Sequence, residues 1–320
     1  MLTSEIYAPG KIRLVVAPEP ELRGPGQVIF QPEIGCLCGS DLPYFNDNGE
    51  APIERGHSLH EMIGSVTATS GTRWRAGDRV LAQPVMQRGL SERFTLDENR
   101  AVPIPAGLPE DQALMAQPLG TVIFALKKLP GVLDQDVAVV GQGPMGQLMN
   151  AALRNMGARH IIGIDLLESR LRVSPRMGAS ATVCNAGRDP VEAVKTILGG
   201  ALPDLVIECV GHQDQQFNLC IDLCRHAGRM LCFGVPPPVI DGLRWRDLFD
   251  KNVTAHTSIG PDFRRDFPLA MRWIGEGRVD VTPLITHTFP LARVQDAFEL
   301  FRDRRDGALK VLLHFPCRAS

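Results

Sequence analysis

Val137-Ala138-Val139-Val140-Gly141-Gln142-Gly143-Pro144-Met145-Gly146 is the stretch on which the fold of this chain turns. An apolar run, a G-x-G-x-x-G turn and a helical pattern follow one another without a gap, so the glycines lie between a strand and a helix. In that setting Gly141 makes the tight turn, Gly143 lets the backbone approach a pyrophosphate, and Gly146 lets the helix pack closely on the strand. Pro144 and Met145 begin the helix, whose N-terminal N–H groups would face the phosphate charge. The next apolar run, His160–Asp165, ends in an acid 19 residues beyond Gly146. A carboxylate there accepts hydrogen bonds from adenosine ribose hydroxyls and repels a 2′-phosphate, which predicts NAD in preference to NADP. Arg170, five residues further on, keeps some use of NADP open.

Outward from this motif, apolar runs recur at 137–141, 160–165, 181–184, 205–211, 229–235 and 253–259. Helical patterns separate them, as at 145–157 and 216–228. Short apolar strands alternating with helices predict a parallel sheet covered on both faces. The first 120 or so residues read differently, as short β segments (27–36, 65–69, 78–85, 93–105) broken by Gly and Pro. That pattern predicts turns and a strongly bent β domain. Beyond about residue 259 come a helix at 267–277, an extended His287–Leu291, a helix at 294–303 and a closing strand at 310–315. The expected fold is α/β: a doubly wound dinucleotide-binding domain over 123–258, inserted in a bent β catalytic domain made of 1–122 and 259–320. The active site is expected in the cleft between them, beyond the carboxyl ends of the parallel strands.

Thirty-four basic and 36 acidic side chains leave a net charge of −2, which gives nucleic acid or a membrane surface no electrostatic hold. A small neutral substrate suits that balance. The N-terminus lacks the basic-then-apolar pattern of a signal peptide, and no apolar run approaches bilayer length. Of eight cysteines, Cys36, Cys184, Cys209, Cys220, Cys224 and Cys232 sit in apolar segments, as buried free thiols do. The compartment expected is cytoplasmic.

A second constellation lies upstream. Gly35-Cys36-Leu37-Cys38-Gly39-Ser40-Asp41 is followed by Gly56-His57-Ser58-Leu59-His60-Glu61-Met62-Ile63-Gly64. Cys, His and Glu are natural Zn²⁺ ligands, and three protein ligands with one open position make a site of the catalytic type. Such an ion would lower the pKa of an alcohol and stabilise the alkoxide from which hydride leaves.

With these motifs in hand, the chain resembles the medium-chain dehydrogenase/reductase family, in its zinc-containing alcohol, sorbitol and threonine dehydrogenase branch. The resemblance runs over nearly the whole length. It rests on Cys38-Gly39-Ser40-Asp41, His60-Glu61-x-x-Gly64-x-Val66, Gly77-Asp78-Arg79-Val80, Gln117-Pro118-Leu119, the glycine-rich turn, and Pro283–His287 with Phe289-Pro290-Leu291. It implies a Rossmann domain inserted in a GroES-like catalytic domain, with Cys38, His60 and Glu61 as zinc ligands and Ser40 starting the proton relay. The implied reaction moves a hydride between a small secondary alcohol, polyol or cyclitol and NAD, in a homodimer or homotetramer. His57 competes with His60, but only His60 keeps the family spacing to Glu61, Gly64 and Val66. Asp41 is expected to hold backbone, and Tyr44 to line the substrate pocket or pack. Cys36, Cys220 and Cys224 are expected in the core, with His212 and the run Arg302, Arg304, Arg305 at the surface.

The chain also departs from the family pattern. Gln117 stands where the polyol branch has a glutamate, so either its amide or water completes the zinc site. Pro43 replaces a relay histidine common among relatives, which sends the proton through ribose hydroxyls or water. The four-cysteine lobe is missing after Val80, so one catalytic zinc and no structural zinc are expected. Two other readings fit the residues: a zinc-free quinone or enone reductase of the same fold, and a non-catalytic NAD-binding protein.

Overall fold

The computed structural model describes residues 1–46, 53–212 and 215–316, so the last four residues of the expected C-terminal segment lie outside it. The chain forms two compact units. One comprises residues 1–117, 263–275 and 284 onward, and the other 118–262 with 276–283.

The first unit opens with an antiparallel hairpin of β1 (Leu2–Ala8) and β2 (Lys11–Val16). Then follow β3 (Gln27–Cys36), β4 (Glu61–Thr69), β5 (Arg79–Ala82), β6 (Phe94–Asp97) and β7 (Ala101–Pro103). The second unit holds β8 (Asp136–Val140), β9 (His160–Asp165), β10 (Ala181–Cys184), β11 (Leu205–Glu208), β12 (Arg229–Cys232) and β13 (Thr254–Thr257). The chain then supplies β14 (Ile285–Pro290) and β15 (Lys310–His314) to the first unit.

In the first unit the strands order as β14-β15-β3-β4-β5-β7, with β6 also pairing β3. The register sets Cys36 opposite Glu61 on β4 and opposite Leu312 on β15, so three segments far apart in sequence meet beside Cys36. The helix Val294–Arg302 buries Val294, Ala297, Phe298 and Phe301, an i, i+3, i+4, i+7 stripe. Phe298 meets Phe45 with ring centroids 4.9 Å apart. Both rings are fully buried in a core shared with Phe30, Leu37, Met62 and Leu90, and each such side chain contributes about 1.5–3 kcal/mol.

The second unit is a six-stranded parallel sheet of order β10-β9-β8-β11-β12-β13. Every residue of β8 is buried, the reason this segment reads as a continuous apolar run rather than an alternating one. Cys220 and Cys224 lie in the apolar core of this unit with Val206, Phe217 and Ile221. The strands after 205 and 229 are shorter than their apolar runs, ending at Glu208 and Cys232, where the chain passes into loops. The helix Ala116–Leu126 has no counterpart in the sequence pattern: it is buried on nearly every side, so no 3.6-residue stripe marks it. No helix of the described residues is long and apolar enough to cross a membrane.

Candidate metal centre and dinucleotide site

In the first unit, β3 delivers the chain to Cys38, the residue before a single helical turn at Gly39–Asp41. Asp41 is fully buried, and its carboxylate ties two segments together. Oδ2 accepts from Cys38 N at 2.8 Å, and Oδ1 accepts from Leu59 N at 3.0 Å. Burial raises its pKa above the ordinary carboxylate value, against the pull of His60 and the two N–H donors. Asp41 thus holds backbone, and through it the spacing between Cys38 and His60.

Ser58 and Leu59 carry φ of 90° and 65°, a conformation non-glycine residues adopt only when neighbours enforce it. The loop at 89–90 does so: Gly89 N donates to Ser58 O at 3.0 Å and Leu90 N to Gly56 O at 3.0 Å. The sharp turn brings His60 to Cys38 and starts β4 at Glu61. A sulfur of Cys38, a ring nitrogen of His60 and a carboxylate oxygen of Glu61 lie within 4.8 Å of one another. Among the described residues this is the one group of three or more such side chains.

Lys310, the first residue of β15, reaches the same place. Its Nζ lies 2.6 Å from both carboxylate oxygens of Glu61, and both side chains are 1% exposed. Burial pulls the ammonium pKa down, but Glu61 and the neighbouring thiols raise it overall. His60 follows the same logic: burial lowers its pKa, while Cys38, Asp41 and Glu61 raise it to about 9. The surroundings of His60 therefore favour positive charge.

The donor set fits a zinc ion. It offers a soft thiol, an imidazole and a carboxylate, and His60 Nδ1 is buried without a hydrogen-bond partner. Ser40 Oγ is likewise buried and unpartnered. Cys36 is buried outside this group, its thiol pKa pushed well up by burial. His57 is also outside the group, its ring 4.0 Å from that of Tyr44 between centroids. Gln117 is buried in the helix Ala116–Leu126.

The second unit carries the glycine-rich turn at the carboxyl end of β8. Gly143 precedes the helix Pro144–Asn155, with Pro144 at its first position and Met145 next. A Cβ on Gly146 would lie 1.8 Å from Gly141 O, so only glycine fits there. Asp165 ends β9; its Oδ2 accepts from Gln142 N at 2.7 Å and its Oδ1 from Leu167 N at 2.9 Å. Arg170 reaches Asp165 at 3.5 Å and stands beside Gly143. His212 is exposed in the loop after β11.

Beneath the turn is a buried polar network that sequence reading missed. Gln142 Oε1 accepts from Asn150 Nδ2 at 2.7 Å and from Ser174 Oγ at 2.8 Å. Gln147 Nε2 donates to Gln142 O at 3.1 Å and to Arg170 O at 2.9 Å, linking the turn to the arginine. The available signal was Gln147 and Asn150 on an otherwise apolar helix face. Lys310 was missed too, although a lysine opening an apolar strand is buried only when paired.

A parallel sheet with a glycine-rich turn at its switch point, in a chain that also carries a partly buried thiol–imidazole–carboxylate group, is the arrangement expected of a dinucleotide-dependent dehydrogenase. Residues 144–276 match the family model described as zinc-binding dehydrogenase. The chain is 26% identical to a sorbitol dehydrogenase of Rattus norvegicus, over 98% of its own length and 95% of that protein. It is 27% identical to an alcohol dehydrogenase of Cupriavidus necator, over 98% of each. The crystal structure of L-idonate 5-dehydrogenase from Escherichia coli shares the fold with a TM-score of 0.83, at 22% identity, covering 98% of this chain and 99% of that one. Residues 144–276 thus carry the zinc-binding dehydrogenase pattern, and over nearly its whole length the chain is similar to alcohol and polyol dehydrogenases.

Proposed function

We propose that the chain oxidises a small secondary alcohol, polyol or cyclitol with NAD⁺, or runs the reverse reduction, at a single zinc centre held by Cys38, His60 and Glu61. The observation that carries this reading is the convergence of those three side chains within 4.8 Å, Glu61 buried and Cys38 and His60 half-buried. When bound, the zinc ion supplies a Lewis acid for the substrate oxygen, and the dinucleotide supplies the hydride acceptor. The overall reaction removes a hydride and a proton from the carbinol and leaves a carbonyl.

The protein's own groups orient the reactants and handle the proton. Ser40 Oγ, buried and unpartnered, takes the proton of the substrate hydroxyl. With proline at 43, that proton leaves through ribose hydroxyls or water. Asp41 holds the two ligand-bearing segments at fixed spacing. Gly141, Gly143, Pro144, Met145 and Gly146 cradle the pyrophosphate at the helix N-terminus. Asp165 selects NAD by repelling a 2′-phosphate, while Arg170 beside it offers a cation to the adenosine side. Gln117, neutral where relatives carry a glutamate, leaves water to complete the zinc site.

Assembly as a homodimer or homotetramer is supported by β13, which among the described residues pairs only with β12. Trp245, Phe249 and Ile259, in the same unit, are 64%, 66% and 81% exposed. Seven free cysteines among the described residues support a cytoplasmic location. Elemental analysis of protein purified without added metal tests the central reading. About one zinc per chain is expected, lost in a folded Cys38→Ser variant. A zinc-free protein that stays inactive when zinc is restored would overturn it.

A further inference from the structure

We propose that Glu208 is a positioning residue for the nicotinamide half of the bound dinucleotide, an inference that rests on the NAD reading above. Glu208 ends β11 and is completely buried, yet no lysine, arginine or histidine among the described residues pairs with it. Its carboxylate is spent on backbone instead. Oε1 accepts from Val210 N at 2.7 Å and Gly211 N at 2.8 Å, and Oε2 accepts from Gly234 N at 3.1 Å. A buried carboxylate is tolerated only with such donors, and each charge-assisted bond is stronger than a neutral one.

These bonds join two loops, the one after β11 and the one after β12. The same loops are linked by His212 N donating to Val235 O at 2.7 Å. The fit is close enough that a Cβ on Gly234 would lie 2.4 Å from Gly211 N and 2.5 Å from Glu208 Oε2. On its other side the first loop meets the glycine-rich turn: Cys209 N donates to Val140 O at 2.8 Å, and a Cβ on Gly141 would lie 2.8 Å from Val210 Cγ2.

The strand order β10-β9-β8-β11-β12-β13 reverses between β8 and β11. A dinucleotide lies across that crevice, one nucleotide to each half of the sheet. The glycine-rich turn and Asp165 belong to the β8–β10 half, which takes the adenosine side. The loops clasped by Glu208 belong to the β11–β13 half and form the floor under the nicotinamide. A carboxylate is required there because it offers two acceptors. An amide turns one of them into a donor, which would oppose either the Val210 and Gly211 N–H groups or that of Gly234.

The test is isothermal titration of wild type, Glu208→Gln and Glu208→Asp with NADH and with ADP-ribose, which lacks the nicotinamide. For Glu208→Gln, NADH is expected to bind at least about 10-fold more weakly, with ADP-ribose within about 3-fold of wild type. Glu208→Asp keeps both acceptors on a shorter stem and is expected to lie between; it decides the matter if the glutamine variant does not fold. Equal weakening of both ligands, or of neither, would overturn the proposal, since a merely structural role moves the two together. Wild type that binds neither ligand would overturn the NAD reading itself, and this inference with it.

Discussion

Replacing Lys310 with methionine tests the most unusual electrostatic feature of the first unit. The Lys310 ammonium contacts both oxygens of Glu61 at 2.6 Å, and each side chain is 1% exposed. Methionine is similar in length and fills the same channel, so the packing loss is small. The electrostatic loss is not, because the Glu61 carboxylate stays buried with its cation gone. Breaking one side of such a pair costs about 3–5 kcal/mol. In metal-free protein, with a urea m-value of about 2 kcal/mol/M, the unfolding midpoint should fall by about 2 M. Trp74 and Trp273 are both buried in the first unit, so their fluorescence follows this unit in chelator-treated protein. Adding zinc should recover part of the loss, since a divalent cation beside Glu61 replaces the missing charge. The double variant Glu61→Gln with Lys310→Met, which removes both charges, should be more stable than Lys310→Met alone. A change below about 1 kcal/mol in the chelated single variant, or a double variant no better than the single, would refute the reasoning.

Gly146→Ala places a Cβ 1.8 Å from Gly141 O, a backbone atom that cannot yield without opening the turn. NADH binding by titration calorimetry should be lost and the melting temperature lowered; near wild-type affinity would show that the turn does not hold the pyrophosphate. Asp136→Asn should alter the acid limb of stability. Arg159, bonded at 2.9 and 2.6 Å, and then His160 at 2.8 Å hold the Asp136 carboxyl below the usual range. A depressed folded-state pKa stabilises the protein above the unfolded value of about 3.9 and loses that contribution as pH falls through the folded value. The wild type should therefore exceed Asp136→Asn by about 1 kcal/mol above pH ~5, Arg159 being half exposed, and the gap should close below pH ~4. A gap that persists or widens in acid would contradict the assigned sign.

What could be read from the sequence is what depends on near neighbours along the chain. The strand–glycine turn–helix run at 137–146 and the acid that ends the next strand at 165 are short-range features, because a tight turn and a helix N-terminus each impose residue types at set spacings. The Cys38 and His60-Glu61 segments were legible in the same way. Tertiary structure decided which partners these groups meet. Lys310 stands 249 residues from Glu61 and reaches it because β15 and β4 both flank β3. The clasp at Glu208 depends on two loops that become neighbours only when β11 and β12 pair in register. The glutamine inside the glycine-rich turn owes its acceptor role to Asn150 and Ser174, brought beneath it by packing on the sheet. A polar residue in an apolar run announces that a buried partner must exist, since unpaired it would cost several kcal/mol. Its spacing carries no information about which partner that is, because the partner is chosen by strand pairing and packing over distances the local pattern does not encode.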